Sequence, residues 1–266
     1  MKRKTSILLL LLFLVLGSVN AQNTRFWDGI EAFDGPTNEN PILASQIDFY
    51  FDKLVAPLPD SINLEIDRLI DRTNDNTDLR DFILWHLLER YRHPEYMNQD
   101  QVFVYLYDQY FSQQEIKDLN KTNLAVIQDK AERLRRLALF NIAPNFMLND
   151  SVDLQSVESE ITVLFFHDHD CDVCQRERID LDSVCTKHPE ITVLAIDMNP
   201  EGSCGFEIRT KGNGDLKSPI HDLRITNPSE LIDLYDIENT PLIYVLDRDK
   251  RIIAKKIRAK QIPLIL

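Results

Sequence analysis

Two cysteines separated by two residues, Cys171 and Cys174, have the spacing of a dithiol that can close into a disulfide. The apolar run Ile161–Phe166 precedes them and predicts a buried strand, and a helix-compatible stretch follows them. The start of a helix stabilises a thiolate, because its dipole and free amides favour negative charge. This arrangement predicts a redox-active dithiol. Cys171 is the expected exposed nucleophile, and Cys174, one turn into the helix, the expected buried resolving thiol.

Two other interpretations of the cysteine pair are a structural disulfide and half of a zinc site. The potential metal ligands in this stretch are His167, His169, Cys171 and Cys174. The histidines precede the cysteines at an unusual spacing, and no second ligand pair follows. The acidic residues Asp168, Asp170 and Asp172 are more simply explained as parts of an exposed loop. We therefore predict no metal, and stoichiometric zinc in the purified protein would contradict the redox interpretation.

The remaining cysteines, Cys185 and Cys204, leave two alternatives open. Cys185 lies 11 residues beyond Cys174, about 16 Å along a single helix, so those two cannot bridge. Cys185 and Cys204 could form a disulfide in an oxidising compartment, or both could be free thiols.

The second half of the chain, from about Ile142 to the end, resembles the thioredoxin-like domain of the exported, TlpA-type thiol–disulfide oxidoreductases. The likeness rests on the dithiol, on Ala143–Leu148 as the first strand, on Glu238–Leu246 as the cis-proline loop with its following strand, and on Asp247–Lys250 as a hairpin turn. The predicted fold class is α/β, with a C-terminal thioredoxin-like domain, a central mixed β-sheet flanked by helices, preceded by an all-α domain.

The resemblance implies that Pro241 lies opposite the dithiol. A cis peptide at Thr240-Pro241 would then leave the Thr240 backbone free to pair with an extended substrate. Two residues of this chain differ from the pattern of the family. Asp170 replaces a tryptophan that often precedes the first cysteine, and Phe165 stands where thioredoxin carries a buried acid, so the usual proton acceptor is missing.

The other elements of this half follow from local patterns. Ile191–Met198 predicts a second strand, parallel to the first because a helix connects them. We expect Ile179 and Val184 to be core positions of that helix. A long loop is predicted over Asn199–Arg224 and a short helix over Ser229–Tyr235. Flanking Asp247–Lys250, two strands form an antiparallel hairpin: Leu242–Leu246 and Ile252–Lys255.

The first half of the mature chain, residues 22–141, shows helical periodicity without a competing strand pattern. An example is the stripe Ile62, Ile66, Leu69 and Ile70 behind a candidate cap at Ser61. The segment is similar to an uncharacterised helical region that precedes thioredoxin-like domains in some exported proteins of Gram-negative bacteria. Its aromatic residues suit either a docking surface or, more simply, helix packing. The predicted domains are a signal peptide (1–21), a helical domain (22–141) and a thioredoxin-like domain (142–266).

The N-terminus predicts export. Lys2, Arg3 and Lys4 precede the apolar run Ile7–Leu16, and we expect cleavage after Ala21, giving a periplasmic or otherwise exported protein. The run is short for a retained membrane anchor, and we expect no membrane span in the mature protein. Without residues 1–21, 27 Lys and Arg face 43 Asp and Glu, a net charge of −16 that argues against nucleic acid as a partner.

Two functional hypotheses follow. The first is an exported thiol–disulfide oxidoreductase that reduces or exchanges protein disulfides, supplied with electrons by an unidentified thiol protein, and contributing to redox homeostasis. The second is a non-catalytic scaffold whose helical domain recruits a partner. No phosphate-binding glycine loop occurs, so we expect no cofactor. No Thr-x-x-Cys pattern of a peroxidase is present. The dithiol with Thr240 and Pro241 favours the first hypothesis.

Overall fold

A computed structural model describes residues 26–28, 41–73, 76–113, 115–149, 151–199, 220–224 and 228–266. The predicted signal peptide, residues 1–21, and Cys204 lie outside these ranges. The chain divides into two compact units, Met1–Asn120 and Lys121–Leu266. The sequence-based boundary, after residue 141, differs from this division, and the domain limits stay a prediction.

The described part of the first unit consists of helices joined by turns and loops. Its helices are α1 (Pro41–Lys53), α2 (Pro59–Asp71), α3 (Thr77–Arg92) and α4 (Asp100–Leu106), and α4 continues as a π-helical turn over Tyr107–Phe111. Proline at the first position starts α2, and the Asn76 side chain caps α3 by accepting the Leu79 amide at 3.1 Å. The aliphatic and aromatic stripes of these helices form the buried core, which confirms the all-α prediction for this part.

The second unit surrounds a five-stranded sheet. Its elements are α5 (Lys121–Arg136), β1 (Ile161–His167), α6 (Asp172–Lys187), β2 (Ile191–Asp197), β3 (Ile220–Arg224), α7 (Pro228–Tyr235), β4 (Leu242–Leu246), β5 (Ile252–Lys255) and a 3₁₀ helix (Ala259–Leu264). The strand order is β3-β2-β1-β4-β5. β1, β2 and β3 run parallel, while β4 pairs antiparallel with both β1 and β5. The mixed sheet and the C-terminal hairpin are therefore confirmed.

β1 is the central strand, and both of its faces are buried. Leu164 and Phe166 join a hydrophobic cluster with Tyr235 and Tyr244 on one side of the sheet. Successive strand residues alternate between faces, so Phe165 points to the other side, where it lines a cavity with residues of α6. This two-sided burial explains the unbroken apolar run of β1.

Four details differ from the sequence-based expectations. Residues 143–148, expected as the first strand, contain one isolated β-bridge, at Met147. Ser61, the candidate cap, lies inside α2, which begins at Pro59.

Residues 220–224, predicted as loop, form the edge strand β3. Ile179, predicted as core, is 68% exposed, whereas Val184 is buried as expected. Glu177 lies on the inward face of α6, and its carboxylate accepts the backbone amide of Ala259 at 2.9 Å. The short C-terminal 3₁₀ helix is thereby held against α6.

A buried ion pair joins α5 to the segment that follows α7. Lys130 Nζ donates to both oxygens of Asp236 at 2.8 Å, and to Glu238 at 2.6 Å. Both Lys130 and Asp236 are buried. The contacts fix the start of the connection from α7 to β4, in which Thr240 and Pro241 lie.

No helix among the described residues is long and apolar enough to cross a membrane.

Candidate functional site

The dithiol lies where the sequence analysis places it, between β1 and α6. Cys171 is the N-cap residue of α6, with an extended backbone, and its Sγ accepts the backbone amide of Cys174 at 3.3 Å. Its own amide donates to the carbonyl of Asp168 at 3.2 Å, which closes the turn after β1. Cys171 is partly exposed, whereas Cys174 is only 2% exposed. One sulfur is thus accessible to a substrate and the other is shielded from solvent.

The pKa values of the two thiols are shifted in opposite directions. Hydrogen bonds from the Cys174 side chain and from the backbone of Cys174 and Val173 lower the pKa of Cys171, and they outweigh slight burial and the charge of Asp168, which act against them. Burial raises the pKa of Cys174 to about 11, although contacts with the Asp168 backbone and the Thr240 side chain favour its thiolate. Cys171 is therefore the more readily ionised sulfur.

Thr240 and Pro241 follow α7 and precede β4. Their peptide bond is cis, as the resemblance implied, and both residues are partly buried. The Thr240 side chain contacts the Cys174 thiol. The structure thus brings Cys171, Cys174 and Thr240 together, with Pro241 next to Thr240 in the chain. The roles of these four residues stay predictions.

A cavity of about 240 Å³ lies behind the dithiol, between the sheet and α6. Its apolar wall consists of Phe165, Ala195 and Leu223, and Cys174 contributes to it from α6. Polar residues complete the lining: His167, Asp168, His169, Gln175, Arg178, Asp197 and Asp222. The buried sulfur therefore borders a small chamber that also holds ionisable side chains.

The polar residues of this cavity are mostly paired with one another. Arg178 on α6 forms a bidentate ion pair with Asp222 on β3, with Nη2 2.8 Å from Oδ2. His169 Nδ1 lies 2.8 Å from Asp197 Oδ2, and this hydrogen bond raises the pKa of His169. Asp168 accepts the backbone amide of Asp170 at 2.9 Å.

His169 and two carboxylates, Asp168 and Asp197, offer atoms within 4.8 Å of one another. His169 Nδ1 already bonds to Asp197 as an ion pair, and the absence of a metal stays a prediction. Within the described part of the chain, neither cysteine joins a group of three potential metal ligands. The structure therefore does not bring together the ligand set considered in the sequence analysis.

The sequence indicated His167 and His169 only as potential metal ligands, and it gave no indication of Arg178, Asp197 and Asp222 in the cavity wall. His167 is the last residue of β1 and, with Phe165, lies on the α6 side of the strand, as the two-residue period of a strand requires. Its ring stacks on Phe165, with centroids 5.0 Å apart. That period could have placed His167 on the α6 side of the sheet, but the pairing of Arg178 with Asp222 could not be predicted without β3.

Cys185 is a buried thiol of α6, and burial raises its pKa to about 11. Because Cys204 lies outside the described residues, a disulfide between the two stays one of two alternatives.

Comparison with known proteins gives a likeness in structure. No family model matches the sequence, and no curated protein matches it significantly. A thioredoxin-like protein from Bacteroides caccae superimposes with a TM-score of 0.68, over 93% of this chain and 91% of that one, at 16% identity. This likeness covers the chain nearly from end to end and shows a thioredoxin-like fold.

Two further solved structures match about half of the chain. One is a domain of a possible thiol-disulfide isomerase from Cytophaga hutchinsonii, at 31% identity and a TM-score of 0.37, covering 48% of this chain and 89% of that one. The other is the thioredoxin domain of a thiol-disulfide oxidoreductase from Bacteroides vulgatus, at 19% identity and a TM-score of 0.35, covering 46% and 90%.

Proposed function

We propose that this chain, which has a thioredoxin-like fold, is a thiol–disulfide oxidoreductase that reduces or exchanges disulfides of protein substrates through Cys171 and Cys174. The observation that carries the proposal is the asymmetry of the two sulfurs. Cys171 is accessible and has a lowered pKa, while Cys174 is buried and protonated three residues away. An accessible thiolate can attack a substrate disulfide, and a shielded thiol close to it can then resolve the mixed disulfide.

The reaction proceeds in two exchanges. Cys171 Sγ, as thiolate, attacks one sulfur of the substrate disulfide and forms a mixed disulfide, and the other substrate sulfur leaves as a thiolate. Cys174 Sγ then attacks Cys171 Sγ, loses its proton, and expels the second substrate thiolate. The substrate gains two electrons, and the protein ends as the Cys171–Cys174 disulfide. An external dithiol protein, a partner not yet identified, would reduce this disulfide again.

Thr240 and Pro241 are the proposed substrate-binding residues. The Thr240 side chain already contacts the resolving sulfur, so a peptide that reached Cys171 would pass beside the Thr240 backbone. An extended peptide can add to such a backbone edge through main-chain hydrogen bonds. This mode of binding would recognise disulfides in unfolded or flexible segments with little dependence on side chains.

The proposed setting is the periplasm or another exported location, on the basis of the basic and apolar N-terminus. Fractionation of cells that produce the full chain, with sequencing of the mature N-terminus, tests it. We expect the protein to be released with the periplasmic fraction and to begin at Gln22.

The test of the activity is insulin reduction by the mature protein with dithiothreitol as electron source. We expect turnover by the wild type and none above background by Cys171→Ser. Cys185→Ser is the control, since it removes a thiol of α6 that lies outside the dithiol. Equal rates for the wild type and Cys171→Ser would reject the oxidoreductase and favour the non-catalytic scaffold.

A further inference from the structure

The resolving step has a chemical requirement that the dithiol alone does not meet. Cys174 must lose a proton to attack the mixed disulfide, but its sulfur is buried and its pKa is raised to about 11. A thiol with that pKa is almost entirely protonated near neutral pH. A nearby proton acceptor would therefore accelerate the step.

The carboxylates that border the cavity are already engaged. Both oxygens of Asp222 contact Arg178, and Asp197 holds His169 through one oxygen and the amide of Asn199 through the other. Asp168 accepts the Asp170 amide. Each of these hydrogen bonds and ion pairs occupies a carboxylate oxygen that would otherwise be available to accept a proton.

His167 differs from these carboxylates. It is 9% exposed, its ring is stacked on Phe165, and it lines the same cavity as Cys174. Within the described part of the chain, its buried Nε2 has no hydrogen-bond partner. Buried polar atoms are nearly always hydrogen-bonded, so an exception in a cavity that a reactive thiol also lines points to a functional role.

We propose that His167 accepts the proton of the Cys174 thiol when Cys174 attacks the mixed disulfide at Cys171. This inference rests on the proposed dithiol function and deepens it. In this step the Cys174 S–H bond breaks, the proton passes to Nε2 directly or through one water, and the Cys174–Cys171 bond forms. The Cys171–substrate bond breaks, and the substrate sulfur leaves with the electron pair as a thiolate. The imidazolium later returns its proton to solvent or to the departing thiolate.

The charges around His167 suit this role. Burial is the main cause that lowers its pKa, so the imidazole is neutral and able to accept a proton at neutral pH. Asp197 on β2 and Asp222 on β3 favour the protonated ring, while Arg178 on α6 and His169 oppose it. The two carboxylates would thus stabilise the imidazolium during the transfer, and Arg178 would favour its later deprotonation.

The experiment separates the two exchanges with 5,5′-dithiobis(2-nitrobenzoate), a chromogenic disulfide. Attack by Cys171 releases the first coloured thiolate, and attack by Cys174 on the mixed disulfide releases the second. The reaction is followed by stopped flow from pH 6.5 to 9.5 in a Cys185→Ala, Cys204→Ser background, so that only Cys171 and Cys174 can react with the chromogenic disulfide. The variants are His167→Gln and, as the matched control, His188→Gln at the far end of α6.

We expect His167→Gln to slow the second release roughly 10- to 100-fold at pH 7 and to leave the first unchanged. The wild-type second release should be nearly independent of pH over this range, because His167 is already neutral. In His167→Gln it should rise about tenfold per pH unit, because the Cys174 thiol must then ionise without the imidazole. His188→Gln should match the background protein in both phases.

Two results would overturn the inference while leaving the oxidoreductase intact. One is an unchanged second release with an unchanged pH profile in His167→Gln. The other is an equal slowing of both releases, which would show a structural role for His167. If the background protein lacks the second release and the wild type does not reduce insulin, the proposed function itself fails, and the inference fails with it.

Discussion

The backbone amide of Cys174 donates a hydrogen bond to Sγ of Cys171 at 3.3 Å, so the resolving residue also stabilises the thiolate of the attacking one. The contact arises because Cys171 is the N-cap of α6, where the first helical amides have no partner within the helix. An N-cap sulfur takes the place of the serine or aspartate oxygen that caps other helices. The geometry of the dithiol and its acidity therefore have the same origin.

The first prediction concerns the order of the two cysteines. Cys174→Ser should still attack substrate disulfides but accumulate mixed disulfides through Cys171, because the resolving thiol is absent. Cys171→Ser should form none. Non-reducing electrophoresis and mass spectrometry of the trapped species distinguish the two variants, and equal trapping by both would contradict the assignment.

The second prediction concerns the pH dependence of alkylation. Iodoacetamide reacts with thiolates, and the pKa of Cys171 is lowered while those of Cys174 and Cys185 are raised to about 11. In the reduced protein, Cys171 should be alkylated first, with a rate that levels off at a pH below the ordinary cysteine pKa. The other two should react slowly until the pH approaches 11. Peptide mapping across a pH series measures this, and simultaneous labelling of Cys171 and Cys174 would contradict it.

Much of this site could be predicted from the sequence, because the information is local. The apolar run of β1, the cysteine spacing and the Thr-Pro pair each specify their own element, and all are found where expected. β3 was missed because its sequence, Ile-His-Asp-Leu-Arg, lacks a continuous apolar run. It is an edge strand that is recognised only by its pairing with β2. Ile179 was misplaced because the inward positions near it are held by polar contacts of Glu177 and Arg178 with distant segments.

The third prediction concerns the buried ion pair of Lys130 and Asp236. Lys130→Met should destabilise the protein by about 3 kcal/mol, because it leaves a buried carboxylate without its main partner. In Lys130→Met/Asp236→Asn the loss should be smaller than the sum of the single losses, since no unpaired charge remains. Denaturant unfolding measures these changes.

Arg248→Met is the control for this series, because the ion pair of Arg248 with Glu160 is exposed and should matter little. A loss in Lys130→Met no larger than that in Arg248→Met would show that the buried pair does not stabilise the fold.

The fourth prediction concerns the C-terminal 3₁₀ helix. Glu177 is buried and accepts both the Ala259 amide and the Arg258 guanidinium at 2.9 Å. Glu177→Ala should remove this anchor, and the amides of residues 259–262 and 264 should exchange with deuterium at least tenfold faster. Ile179→Ala, a change at an exposed position of the same helix, should leave their exchange unchanged. Equal exchange in the two variants would contradict the anchoring role.

The last prediction concerns the redox potential. A strong oxidant of this fold stabilises its reduced form through a deeply lowered nucleophile pKa. The capping hydrogen bonds lower the pKa of Cys171, but the charge of Asp168 opposes them, so we expect a reductant or a weak oxidant. Asp168→Asn keeps an oxygen that can accept the Asp170 amide and removes the charge. It should lower the pKa of Cys171 further and make the midpoint potential of the dithiol more oxidising, by at most about 30 mV for each unit by which that pKa changes.

Glutathione titration measures the midpoint potentials of both proteins, with Glu158→Gln as a control at an exposed position. A wild-type midpoint near −120 mV, or a more reducing midpoint in Asp168→Asn, would show that the balance between the helix start and Asp168 does not set the potential.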